Sequence, residues 1–214
     1  MLDPNVLTWM ESTPSAVLTW YSQSGRLEFT GPVMARWLAK TANYVDEVLG
    51  GEQPGVALAL PASWRTLVWV TGAGLAGGDV SITAESDLSS FDIFVTSNEE
   101  EARAAAADDP GLIVLLQDLG MMALEWSGDL PDGVSDAIAE VGSQPDGLAF
   151  AGAVPARLPQ GEPSPSLEAG NQPVVVCGEP YIGSIWEAWR LQRPAIWIEP
   201  GLDTNTIMAQ ENLT

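Results

Sequence analysis

Gly72-Ala73-Gly74-Leu75-Ala76-Gly77 carries the G-x-G-x-x-G spacing that cradles a dinucleotide pyrophosphate, and Leu67 to Thr71 before it could pass for a strand. That chemistry needs a helix immediately after the glycines, because the pyrophosphate sits on the helix N-terminus. The next residues are Gly78-Asp79-Val80-Ser81-Ile82-Thr83, which read as a strand. The other reading is a helix whose small residues pack tightly against a sheet, and the residues after Gly77 favour it. A Walker loop needs a lysine after its last glycine. Lys40 is the single lysine and comes after Ala39 in mid-helix, so that motif is absent.

Glu99-Glu100-Glu101 and Asp108-Asp109 offer carboxylates for a divalent cation. Oxygen ligands for Mg²⁺ or Ca²⁺ usually converge from a shaped loop. These flank a helix, Asn98 to Ala107, that also carries Arg103. Acids in the first turn are explained by the helix dipole. Cys177 could be a nucleophile, but its apolar strand predicts a buried, inert thiol. There is no histidine, which removes Ser-His-Asp and Cys-His catalysis, histidine-ligated zinc and any histidine general base. No catalytic, cofactor-binding or metal-binding residue is assigned.

The elements that would position these groups alternate in type. Short strands are predicted at Val17–Tyr21 and Leu27–Phe29, with a turn at Ser24-Gly25. Thr30 and Pro32 open a helix whose apolar residues, Val33 and Trp37 to Leu49, recur at helical spacing until Gly50-Gly51. Val56–Leu60 is an apolar run suited to a strand buried on both faces. Ser63 caps a helix to about Ala76, and Val80–Thr83 is a strand. Phe91–Thr96 and Leu112–Leu116 are strands around the helix 98–107. Further on come a helix at Val134–Val141, a strand at Leu148–Phe150 and a mobile loop at 160–173. A strand at Pro173–Cys177, a helix at Ile182–Leu191, a strand at Ala195–Ile198 and a helix at Thr204–Gln210 complete the chain. The alternation predicts a single α/β domain over 1–214, layered, with a mainly parallel sheet and helices on both faces.

Composition narrows the partners. The 214 residues are 46% hydrophobic, enough for a core without a disulfide or metal staple. The formal net charge is −21, with 8 Lys plus Arg. That balance argues against nucleic acid and against an anionic membrane surface. No run approaches the length of a membrane helix, and MLDPNVLTWMES lacks the features of a signal peptide. With one cysteine, the chain reads as cytoplasmic. Nine tryptophans include Trp37, Trp64, Trp69, Trp186 and Trp189 on predicted helices. Core packing explains most of them, and the enrichment of tryptophan at interfaces points to a homo-oligomer contact.

The order of features resembles the opening of the adenylate-forming superfamily, the acyl-CoA synthetases and their relatives. Phe29-Thr30 and Leu38-Ala39-Lys40-Thr41-Ala42-Asn43-Tyr44-Val45 are similar to that family's first strand and its A-N-x-L-A helix. Pro54-Gly55-Val56-Ala57-Leu58-Ala59-Leu60-Pro61 resembles G-D-R-V-A-L-x-L-P. Ala73-Gly74-Leu75-Ala76-Gly77-Gly78-Asp79-Val80 resembles A-G-A-V-x-V-P, and Phe91 to Ser97 resembles A-D-x-V-x-T-S. Ile185 to Ile198 is similar to a later helix and strand. The likeness is closer still to short bacterial proteins that share this truncated layout.

The departures lie in the ATP machinery. The family's T-S-G-[ST]-T-G-x-P-K loop should come after Leu148–Phe150, where this chain has Ala151-Gly152-Ala153-Val154-Pro155-Ala156-Arg157-Leu158-Pro159. The chain also ends before the Y-G-x-T-E motif, the ribose-binding aspartate and the domain bearing the catalytic lysine. The resemblance therefore implies a non-catalytic adenylate-synthetase-like domain with a binding or structural role and no cofactor. The alternative is the acyl- or CoA-binding part of a split enzyme completed by another chain. The small-molecule ligand is unknown.

Overall fold

A computed structural model describes residues 1–49, 54–82, 87–160, 162–163, 165–168, 170–179 and 181–213. The Gly50-Gly51 helix stop and Thr83 at the end of its predicted strand lie outside the described residues.

Sixteen elements occur in the order α1 (Asn5–Glu11), β1 (Ala16–Ser22), β2 (Gly25–Thr30), α2 (Gly31–Leu49), β3 (Gly55–Ala59), α3 (Trp64–Leu75), β4 (Asp79–Ile82), β5 (Ile93–Thr96), α4 (Glu99–Asp108), β6 (Ile113–Leu116), β7 (Val134–Asp136), α5 (Ala137–Gly142), β8 (Val174–Cys177), α6 (Ile182–Arg190), β9 (Ala195–Ile198) and α7 (Thr204–Gln210). They form two sheets, ordered β2-β1-β9-β8 and β4-β3-β5-β6-β7. The second is parallel throughout, and the first departs from parallel only at the β1–β2 hairpin.

All of α3 is buried, the pattern of a helix held between layers. One continuous core joins Leu18, Trp20 and Trp197 of the first sheet to Leu58, Val95 and Leu115 of the second. Helices α2, α3 and α6 contribute the residues between them. Helix α4 covers the opposite face of the five-stranded sheet around Phe94 and Val114. Ile207 of α7 packs on Tyr21, Ile196 and Ile198 of the other sheet.

Six tryptophans (Trp20, Trp64, Trp69, Trp186, Trp189 and Trp197) lie in the interior. Their burial is worth about 2–3 kcal/mol each. Trp69 Nε1 donates to Gln117 Oε1 at 3.0 Å, Trp186 Nε1 to Thr71 Oγ1 at 2.9 Å and Trp189 Nε1 to Val17 O at 3.0 Å. Packing within one chain thus accounts for most of the tryptophan content.

Two local expectations are corrected, and one helix was missed. Residues 134–136 are a strand rather than the first turn of a helix, because they pair with Val114, Leu115 and Leu116 at the open edge of β6. Asp136 then caps α5 by accepting from Ile138 N at 2.8 Å. Residues 148–150 form no strand. Asn43, buried on α2, donates to Pro145 O and Gly147 O at 3.1 and 2.8 Å and accepts from Ala149 N at 2.8 Å. A side-chain amide thus takes the place of a neighbouring strand. Helix α1 was not anticipated from the sequence: it is seven residues long, and its start is marked only by Pro4 and by Asp3 Oδ1, which accepts from Asn5 N at 2.8 Å. Tertiary burial of Val6, Leu7 and Met10 holds it.

Candidate functional site

Residues 72–77 do not cradle a phosphate. Helix α3 runs unbroken through Gly72 and Gly74, capped by Ser63, whose Oγ accepts from Thr66 N at 3.2 Å. Each glycine has a structural reason. A Cβ on Gly72 would lie 2.6 Å from Thr41 Cβ on α2, and one on Gly74 would lie 2.8 Å from Ala156 Cβ. The tight contacts are therefore with a helix and a loop rather than with a sheet. Gly77 adopts φ +89° and closes the helix, with Gly78 N donating to Ala73 O at 2.9 Å.

The acidic groups around α4 do not converge. Glu99 pairs with Arg103, and Glu101 accepts from Thr96 Oγ1 at 2.8 Å. Asn98 Oδ1 accepts from Glu100 N and Glu101 N, as its capping role requires. Cys177 departs from expectation: it is exposed, because it ends β8 on the side away from the core.

The stretch 151–159, where the resemblance expects a phosphate loop, is tied elsewhere. Val154 N donates to Leu75 O at 3.0 Å, and Ala156 exchanges both backbone hydrogen bonds with Leu2 at 2.9 Å. This places 154–156 beside the C-terminus of α3, where the chain enters β4. In open α/β sheets ligands bind at the other edge, outside the carboxyl ends of the strands.

Basic side chains are engaged as well. Lys40 donates to Gly142 O at 2.8 Å and to Gln144 O, and lies 3.3 Å from Asp146. Arg26, Arg36 and Arg190 pair with carboxylates, and Arg193 donates to the carbonyls of Glu168 and Gln172. Arg157 is exposed.

Arg65 is the cation at the carboxyl end of β3, near the ends of β6 and β7. It is only 4% exposed. Its guanidinium carbon lies 4.3 Å from the Trp64 ring centre and 5.6 Å from that of Trp37. Nη2 donates to Ala123 O at 2.7 Å. Burial pulls its pKa down to about 10, against the opposing pull of Asp118 and Asp136. Among the described residues its Nε and the Thr41 hydroxyl have no partner, and both residues line a cavity of about 10 Å³. That is room for about one water molecule. Arg65 thus faces an aromatic cage and a water-sized hole, with no space for a ligand phosphate.

One of two concavities of similar size is a half-open groove of about 1000 Å³ between α4 and the sheet. Its apolar lining includes Leu58 and Ala59 of β3, Leu60 just beyond it, Ile82 of β4, and Ala104 and Ala105 of α4. Asp87, Glu101, Asp108 and Asp109 also line it. Among the described residues no basic side chain does.

The five-stranded parallel sheet ordered β4-β3-β5-β6-β7, with helices on both faces and a second sheet behind, is a fold this chain shares with solved synthetase and ligase structures. The chain is similar to an acyl-CoA synthetase from Brucella canis (TM-score 0.70, 16% identity, covering 100% of this chain and 46% of that one). It is similar to a coronafacic acid ligase from Pectobacterium brasiliense (TM-score 0.66, 10% identity, 100% and 48%). An amide bond synthetase from Marinactinospora thermotolerans gives 0.61 at 12% identity, covering 99% and 47%. At these identities the likeness is one of fold, and the chain spans about half the length of the structures it matches. No protein-family profile and no curated protein matches the sequence. Among the described residues no helix is long and apolar enough to cross a membrane.

Proposed function

We propose that residues 1–214 act as one α/β unit with a binding role, built on the adenylate-synthetase fold and without adenylating activity of its own. The observation that carries this reading is the position of residues 154–156. Their backbone donors are committed to Leu75 O and Leu2 O beside the C-terminus of α3. The commitments of Lys40 and Arg65 support it, because a net charge of −21 repels a triphosphate unless a local cation offsets it. The test is a thermal-shift titration with Mg·ATP and with AMP. The expected result is no change in Tm up to millimolar nucleotide. A saturable rise would overturn the reading, since a ligand that binds only the native state raises Tm by mass action.

The second reading is an acyl- or CoA-binding half of a split enzyme. It is favoured by the fold this chain shares with an acyl-CoA synthetase. Recovery from the native host of a stable partner carrying the phosphate loop and the catalytic lysine would select it.

A further inference from the structure

We infer that the groove between α4 and the β3–β5 face receives a basic amphipathic helix from a partner protein. The inference rests on the binding reading and names the partner's chemistry. It begins with an incomplete layer. Parallel sheets are normally covered on both faces. On the outer face, α4 packs against β5, β6 and β7. On the same face of β3, Ala59 is only partly covered and lines the groove. The space left is half-open, about 1000 Å³, and runs along α4. That shape suits a helix laid lengthwise in a groove, one of the recurring modes of peptide recognition.

Charge selects the kind of helix. Glu101 stands near one end of the groove, and Asp108 and Asp109 at the other. Seven residues of helix separate Glu101 from Asp108, roughly 10 Å, or two turns. Asp87 adds an acid on the facing wall. A helix with lysines or arginines two turns apart would place cations opposite both ends, with its apolar face on Ala59, Ile82 and Ala104. A second copy of this chain does not suit the site, because each copy carries −21. Electrostatic complementarity of this kind sets partner choice and association rate.

The probe is a fluorescein-labelled peptide of about 14 residues, roughly four turns, with leucines on one helical face and lysines on the other. Binding is read by fluorescence anisotropy. The inference predicts a saturable rise that weakens with salt. The double reversal Asp108→Lys/Asp109→Lys should weaken binding about tenfold. Asp129→Lys/Asp132→Lys, exposed and outside the groove, makes the same change in net charge and should alter it by less than about twofold. Ala104→Trp, at an exposed helix position facing the groove, should abolish binding by filling it.

Three results would each overturn the inference: no saturable binding, equal losses from the two double reversals, or equal binding of a scrambled, non-amphipathic isomer. Circular dichroism checks the fold of each variant. Hydrogen exchange on the unmodified protein gives a reading independent of them. Protection by the peptide is expected at β3 and α4, and protection confined to other elements would also overturn the inference. The nucleotide titration is unaffected by any of these outcomes, so failure of the docking inference and failure of the binding reading can be told apart.

Discussion

Gly72→Ala separates a packing role from a nucleotide role. In an isolated helix the change would stabilise by about 1 kcal/mol, because glycine is the poorer helix former. Here the new methyl would sit 2.6 Å from Thr41 Cβ, 2.8 Å from Thr41 Cγ2 and 3.0 Å from Leu38 O. Carbon atoms prefer about 3.5–4.0 Å, so α2 and α3 must separate locally by about 1 Å. Overpacking of this kind costs about 1–3 kcal/mol. Helix α3 is wholly buried, and Leu38 and Thr41 lie on the buried face of α2, so a value near the upper end is appropriate. The net expectation is a loss of about 1–2 kcal/mol, or several degrees in Tm for a chain of this length. Urea unfolding followed by fluorescence of the buried tryptophans would measure it. Gly152→Ala is the control, since its nearest neighbour lies 3.9 Å away. Thr41→Gly should recover part of the loss in the double mutant, as contacting residues couple. If Gly72→Ala instead stabilises the protein by the full helix-propensity amount, the close approach of α2 and α3 is wrong.

Two further tests probe the buried polar groups. Arg65→Met should leave stability unchanged or raise it by about 1 kcal/mol, because it removes a desolvated charge and keeps the volume. Arg65→Ala should cost about 2–4 kcal/mol by emptying the space beside Trp64 and Trp37; equal losses in the two variants would refute this account. The second test is pH. Burial raises the Tyr44 and Tyr181 phenols, with Glu140 and Glu47 adding to the effect at Tyr44. A folded-state pKa above the unfolded value of 10.0 means stability that is intact below that pH and lost as pH rises beyond it. Arg65, lowered to about 10, opposes the loss. Urea midpoints should therefore fall above pH 10.0, by about 1 kcal/mol per pH unit, and fall more steeply in Arg65→Met. A flat profile in both proteins would refute the burial of these phenols.

The groove and the Arg65 cage lie on opposite faces of the five-stranded sheet. The Arg65 side is closed by aromatic rings, while the α4 side is open and acidic. A partner helix on the α4 side would complete a layer without touching the core shared by the two sheets.

Local chemistry sufficed for the elements whose signals are strong and short-range. Val56–Leu60 reads as a buried strand because it is apolar at every position, and Ser63 and Asn98 read as caps because their side chains bond amides two or three residues on. The absence of histidine and the single lysine are properties of the chain alone. The tertiary structure decided what distant residues do to one another. It made 134–136 a strand because β6 had an open edge, and it denied 148–150 that state because Asn43, more than a hundred positions earlier, captured its backbone. It also put the Cys177 thiol outside and the Arg65 guanidinium inside, each against the preference of its residue type. Hydrogen bonds within a few residues are written in the local sequence, whereas burial depends on which surfaces meet, and that exists only once the layers have packed.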